Sequence, residues 1–209
     1  MLLDEPLANL DYKLREELRI EIPRIFEASG AIFVYATTEP EEALLLGGNT
    51  ATLWEGRVTQ FGPTPQVYRQ PRDATTARVF SDPPMNFMSG RKEGRTVRFG
   101  EAAPVPAAGP LAAIPGGTYR AGFRANHLDV AQRSGDTVPF TCTLTASEIT
   151  GSETFLHLRH DENAWVGLVQ WVHAFETGTA LTVWIDPAHI YLFDADGRLV
   201  APAAYAMAA

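Results

Sequence analysis

Apolar residues recur along this chain in more than one rhythm, and the change of rhythm divides it. After Asp11, Leu14, Leu18, Ile22, Ile25 and Phe26 follow at spacings of three, four and one, while Lys13, Arg15, Glu16, Glu17, Arg19, Glu21, Arg24 and Glu27 mostly cover the other side. That stripe predicts an amphipathic helix, with Asp11 as its N-cap and Ser29-Gly30 as its stop. Pro23 lies inside the pattern, removes one helix hydrogen bond and should kink the helix, at a cost of ~3 kcal/mol if nothing compensates. Ala31 to Ala36 is a near-continuous apolar run ending in Thr37-Thr38-Glu39-Pro40. A run of that length predicts a strand buried on both faces, as in a parallel sheet. Pro40 to Leu46 reads as a short helix with Pro in its first turn, ended by Gly47-Gly48. TATLWEGRVTQFG predicts a hairpin turning at Glu55-Gly56, and short helical segments follow around Pro65 to Arg69 and Ala74 to Phe80.

At Ser81-Asp82-Pro83-Pro84 the character changes to short strands and turns. The candidate strands are RTVRFG, YRAGFRA, TVPFTCTLTASEI, TFLHLRH, WVGLVQWV, ALTVWI and HIYLF, all rich in β-branched and aromatic residues. Their density predicts a small barrel or sandwich. The expected division is residues 1–82 and residues 83–209, an α/β part followed by an all-β part. No repeat of fixed period interrupts it.

Composition adds exclusions. At 209 residues the chain can bury one core or two small ones. A net charge of −8 argues against general nucleic-acid binding, which needs a basic face. The single Cys142 has no partner for an internal disulfide, so a reducing compartment is the simpler expectation. No stretch reaches the ~18 apolar residues of a membrane span. The nearest, Ala102 to Gly117, is broken by Pro104, Pro106, Pro110 and Pro115. With no signal peptide ahead of the first acids, a soluble cytoplasmic protein, or the soluble subunit of something larger, is expected.

The chemistry concentrates at the start. MLLDEPLANLD places adjacent carboxylates, Asp4 and Glu5, where a short apolar strand stops, with Asp11 following. Adjacent acids at a strand end point in different directions and can divide two jobs, holding a metal and orienting water. LLDEPLANLD resembles the Walker B strand end and D-loop of the ATP-binding subunits of ABC transporters. EGRVTQFGPTPQVYRQP, DPPMNFM, GFRANHLDV and AHIYLFDADGRLV resemble stretches of the carbohydrate-import branch (the maltose and glycerol-phosphate type) and of its OB-like accessory domain, known as TOBE, although GFRANHLDV departs from that branch's usual Arg-Pro-Glu-His wording. The resemblance implies a partial P-loop NTPase lobe in 1–82 and an OB-like β-barrel in 83–209. It implies ATP and Mg2+ as cofactors of the complete protein. Asp4 would hold Mg2+ through water, Glu5 would polarise the hydrolytic water, and Asp11 would meet the partner ATPase across a dimer. It further implies membrane permease subunits and a second ATPase subunit as partners, no nucleic acid, and a peripheral place on the inner face of the cell membrane.

Two departures qualify that picture. No G-x-x-x-x-G-K-[ST] phosphate loop occurs, and neither lysine, Lys13 or Lys92, follows a glycine-rich turn. In the family that loop and the signature motif precede Walker B, so the expectation is a C-terminal part of an ATPase, inactive alone. After the strand IFVYAT the family usually carries His-Asp, whereas Thr38-Glu39 stands here. Thr has a hydroxyl but lacks an imidazole's reach and charge. The competing reading is a stand-alone regulatory or ligand-binding OB-like domain with a vestigial ATPase tail.

The remaining candidates read as structural. His157 and His160 lie three apart on a strand, where they point to opposite faces, so a shared metal site is not expected. His127, His173 and His189 show no ligand partners in the sequence. Trp54, Trp165, Trp171 and Trp184 could stack a sugar or base but more often pack a core, and Cys142 reads as a small core residue.

Overall fold

The computed structural model describes residues 1–133 and 135–207. Strand β1 (Leu2–Asp4) runs into a turn where Glu5 and Asn9 take left-handed φ values of 42° and 64°. Helix α1 (Tyr12–Ser29) is capped as its sequence predicts. The Asp11 carboxylate accepts from the Leu14 N–H at 3.0 Å, and Gly30 closes the helix at φ 62°, a conformation that costs glycine nothing. The helix continues through Pro23.

Strand β2 (Val34–Ala36) returns parallel to β1, with Leu2 opposite Val34 and Asp4 opposite Ala36. Its burial differs from expectation: Val34 is 56% and Ile32 85% exposed. With β1 as its sole strand partner among the described residues, β2 belongs to a sheet too narrow to carry the helices that cover both faces of a full parallel sheet. Likewise α1 has no buried residue, and Leu14 and Ile25 of its apolar stripe are exposed. Helix α2 (Pro40–Leu46) ends at Gly47, φ 68°, whose N–H donates to the Ala43 carbonyl. Strands β3 (Asn49–Trp54) and β4 (Arg57–Pro63) form the predicted hairpin. Glu55 and Gly56 at its tip have φ 48° and 73°, the paired positive values that a two-residue hairpin turn requires. Short helices α3 (Thr64–Arg69) and α4 (Ala74–Val79) follow.

The rest is β-structure. In order come β5 (Asn86–Glu93), β6 (Thr96–Phe99), β7 (Val105–Pro106), helix α5 (Pro110–Ala113), β8 (Gly117–Phe123), β9 (Leu128–Asp129), β10 (Val138–Ile149), β11 (Glu153–His160), β12 (Asn163–Gln170), β13 (Ala180–Ile185), β14 (Tyr191–Phe193) and β15 (Leu199–Ala201). One sheet has the order β15-β14-β8-β5-β6-β7 and the other β12-β11-β10-β13-β9. Phe99, Phe123, Phe140, Leu144, Leu156, Leu158, Trp165 and Ile185 fill the space between them, all but completely buried. The Asn86 side chain joins the sheets by imitating a strand ladder. Its amide donates to the Val166 carbonyl and accepts from the Val166 N–H, both at 2.8 Å, and the Trp165 indole N–H donates to the Phe87 carbonyl at 2.9 Å. These bonds carry β5 onto β12 and nearly close a barrel.

All seven predicted strands are present, and β5, β7, β9 and β15 add to them. Strand β5 was hidden because its inward positions are Asn86, Met88, Gly90 and Lys92, which break the apolar alternation. The buried Lys92 ammonium is satisfied by the carbonyls of Ala112 (3.1 Å) and Ile114 (2.9 Å). A second core lies outside the six-stranded sheet, where Ala74 and Ala77 of α4 pack with Met85, Tyr191, Phe193, Ala203 and Ala206. Arg124, just after β8, reaches across the same way. Its guanidinium lies 3.7 Å from the Tyr68 ring centre and donates to the carbonyls of Phe80 (3.0 Å) and Tyr68 (2.6 Å). Helices α3 and α4, which precede Pro83, thus pack on the β-structure that follows it.

Candidate functional site

The register of β1 and β2 brings the N-terminal candidates together. Asp4 stands opposite Ala36, the Glu5 N–H donates to the Ala36 carbonyl at 2.8 Å, and Thr38 follows two residues later. Asp4, Glu5 and Thr38 therefore occupy the carboxyl ends of two adjacent parallel strands, the edge at which open α/β sheets present groups to ligands. All three are exposed. Asp11 stands apart from them, beyond the turn, with its Oδ1 engaged in the α1 cap.

Helix α1 supports this edge through side chains that the sequence did not mark. Arg19 donates to Glu39 at 2.8 Å and to Glu16 at 2.9 Å. Arg15 donates to the Leu10 carbonyl at 3.3 Å and lies 3.7 Å from Glu39. Glu39, the neighbour of Thr38, is thus gripped by two arginines one turn apart, and one of them also holds the turn that follows Glu5. Tyr35 donates to the buried Glu42 carboxylate at 3.0 Å. Burial first, then that bond and the charges of Glu42 and Glu39, push the Tyr35 hydroxyl well above its ordinary value, so it stays a donor. The basic residues at i and i+4 on α1 were visible, but nothing in the sequence paired them with Glu39.

No group of three or more His, Cys, Asp or Glu side chains is placed to hold a metal ion among the described residues. His157 faces outward to Glu148 at 2.9 Å, while His160 is buried with its Nδ1 3.0 Å from the Thr141 carbonyl. The two point to opposite faces, as strand geometry requires. His127 stacks on His189 with ring centres 4.1 Å apart, and Tyr205 meets both edge-on. Burial, with smaller contributions from His189 and Arg124, pushes the His127 imidazole down to about 3. Burial also lowers His189. Trp165 is a core residue, edge-on to Phe123 at 5.0 Å, and Trp171 is 73% exposed, so the tryptophans form no common platform. Cys142 is buried, and its thiol is pushed up to about 12 by burial and by Asp161. A cleft of about 140 Å³ between α2, α3 and the barrel is lined by Glu41, Tyr68, Asp82, Arg124 and Asn126 among others. Among the described residues no helix is long and apolar enough to cross a membrane.

The nearly closed barrel agrees with family comparison, which matches residues 121–193 to the TOBE domain. The chain's homologues are ATP-binding subunits of importers of the sugar and glycerol-phosphate type. It is 30% identical over 93% of its length to the sn-glycerol-3-phosphate import ATP-binding protein UgpC of Chromobacterium violaceum, covering 53% of that protein. It is 31% identical over 93% to the xylose/arabinose import ATP-binding protein XacK of Haloferax volcanii, covering 52%, and 32% identical over 94% to the maltose/maltodextrin import ATP-binding protein MalK of Photobacterium profundum, covering 55%. The chain spans about half the length of the curated relatives it matches. Among solved structures, the cytoplasmic molybdate-binding protein ModG aligns at a TM-score of 0.38 and 18% identity, over 51% of this chain and 94% of that one, a likeness too low to bear on this protein.

Proposed function

We propose that this chain supplies the water-activating edge of an ATP site, together with a TOBE domain, in a subunit that drives import of a sugar or similar small solute. The observation that supports this most is the parallel pairing of β1 and β2, which sets Asp4, Glu5 and Thr38 at one strand-end edge of a chain related throughout to import ATP-binding proteins. Asp4 would hold Mg2+ through water; Mg2+ commonly takes one or two carboxylates and fills its shell with water and phosphate oxygens, which the exposed carboxylate at this edge allows. When bound, the ion would neutralise charge on the β- and γ-phosphates. Glu5 polarises the attacking water, and Asp11 faces a second ATP-binding subunit. Thr38 occupies the position where the family carries His, and its hydroxyl is a shorter and weaker link between phosphate and water.

In this reading residues 1–82 are the ATPase portion and residues 83–209 the TOBE portion, with α3 and α4 leaning on the latter. The subunit works at the inner face of a membrane beneath permease subunits, without nucleic acid. A homodimer would carry the Thr38 substitution in both sites, so the second ATP-binding subunit is a distinct one that keeps a full site.

The chain has no phosphate loop, and alone it is expected neither to bind Mg-ATP tightly nor to hydrolyse it. Calorimetric titration tests this: micromolar binding at one site, lost on Asp4→Asn, would contradict it. In an assembly with permeases and the complete nucleotide site, Glu5→Gln should abolish hydrolysis at the site this chain completes. Thr38→His should raise it by ~10²-fold or more, the range seen for single catalytic hydrogen-bond groups. Hydrolysis by a homodimeric assembly that Thr38→His leaves unchanged would overturn the role given to Thr38 and the need for a distinct partner.

A further inference from the structure

Strand alternation puts Phe87, Ser89, Arg91 and Glu93 of β5 on the outer face of the six-stranded sheet, since Asn86, Met88, Gly90 and Lys92 point inward and are buried. Register adds Arg120 of β8, opposite Ser89, and Arg98 of β6, opposite Arg91. Arg78 joins them from α4, which covers the neighbouring part of the same face through Ala74 and Ala77. Four guanidiniums therefore gather on one shelf of a chain whose net charge is −8.

This cluster is under-neutralised. Among the described residues Arg91 has an acid, Glu93 at 2.6 Å, while Arg78, Arg98 and Arg120 have neither an ion pair nor a hydrogen bond. Arg91 and Arg98 are directly opposite each other, a like-charge pairing that destabilises a sheet. Burial and then the Arg78 charge weaken the hold of Arg120 on its proton, which shows that these two arginines repel each other. The guanidiniums are nonetheless oriented. Arg120 lies 3.8 Å from the centre of the Phe87 ring, and Arg78 lies 6.0 Å from that of Trp54. Stacking against a ring leaves the N–H edges of a guanidinium available for a planar acceptor with two oxygens.

We propose that this face docks an acidic protein segment, whose Asp or Glu carboxylates take the open edges of Arg78, Arg98 and Arg120. Carboxylates match the guanidinium fork, and spaced acids relieve the repulsion among the arginines. Nucleic acid fits less well. The Phe87 and Trp54 rings that could stack a base are the ones the guanidiniums lie over, and the chain's overall charge repels a polyphosphate. A membrane surface fits less well too, because β5, β6 and β8 contribute none of the exposed large apolar side chains that would anchor in lipid, and Trp54, the exposed ring beside Arg78, lies under that guanidinium.

The test uses a fluorescein-labelled peptide of alternating Glu and Ser, titrated with the full chain at low salt and followed by fluorescence anisotropy. Saturable binding is expected, weakened by added salt. Arg78→Glu with Arg120→Glu should weaken it at least about tenfold, a loss of ~1.4 kcal/mol. Arg24→Glu with Arg159→Glu makes the same change in net charge at exposed sites on α1 and β11, away from this shelf, and should alter binding by less than about twofold. Circular dichroism should show both variants folded. The proposal is overturned if no saturable binding occurs, if the two double variants lose equally, or if a single-stranded oligonucleotide or phosphatidylserine vesicles bind more tightly than the peptide at matched charge.

Discussion

Arg19 of α1 donates to Glu39 at 2.8 Å, and this bond fixes the residue beside Thr38 to the helix that Asp11 caps. Both side chains are partly exposed, 21% and 43%, so solvent screens the pair and its direct worth is ~0.2–1 kcal/mol. Its larger effect is on order. Arg19→Ala should speed amide exchange in residues 12–29 and 37–46 while moving the thermal midpoint little. Equal exchange in wild type and Arg19→Ala would show that the pair holds nothing.

Gly122 sits on β8 where no side chain fits. A Cβ there would stand 2.8 Å from the Met85 sulfur, 3.0 Å from Phe87 and 3.2 Å from the buried Phe193. Gly122→Ala should therefore force the second core apart and cost ~1–3 kcal/mol. Gly167→Ala brings its Cβ to 2.7 Å from Leu128, but from the movable end of a single side chain, so its cost should be smaller. Thermal unfolding followed by circular dichroism ranks the two, and a larger loss at Gly167 would contradict the packing argument.

The stacked His127 gives the fold an acid limit. In the unfolded chain an imidazole takes its proton near ~6.5. In the fold His127 refuses one until about 3. Between those values the unfolded state binds more protons, so this contribution to stability is whole above the unfolded value and shrinks as pH falls through the window. His189, lowered by burial, acts in the same direction. His127→Phe keeps a stacking ring without the titration, and should flatten the fall of the melting temperature between about pH 7 and about pH 4. An unchanged slope would remove His127 from the account.

Local signals in the sequence translated directly. Asp11 and Gly30 marked both ends of α1, Glu55-Gly56 marked the hairpin, and alternating β-branched residues marked the seven strands. Strand β5 escaped because what makes Asn86 and Lys92 acceptable inward residues lies elsewhere in the chain, at Val166 and at Ala112 and Ile114. The same holds for the candidate edge. Asp4-Glu5 was legible as adjacent acids at a strand end, and Thr38 as the residue at the end of a second strand. That Glu39 answers to Arg15 and Arg19, or that Glu42 is buried beneath Tyr35, depends on how α1 and α2 lie against one another, which no periodicity encodes.

The Asn86 amide makes the barrel a vessel with a seam. Strands β10 and β11 are held by a paired ladder from Thr143 to Ile149, whereas β5 and β12 meet through two bonds of one side chain and one indole N–H. Parting neighbours within either sheet means unzipping a ladder; parting β5 from β12 means releasing one amide and one ring. Along that line, between Phe87 and Trp165, three side-chain bonds stand in for the ladder that closes every join within a sheet.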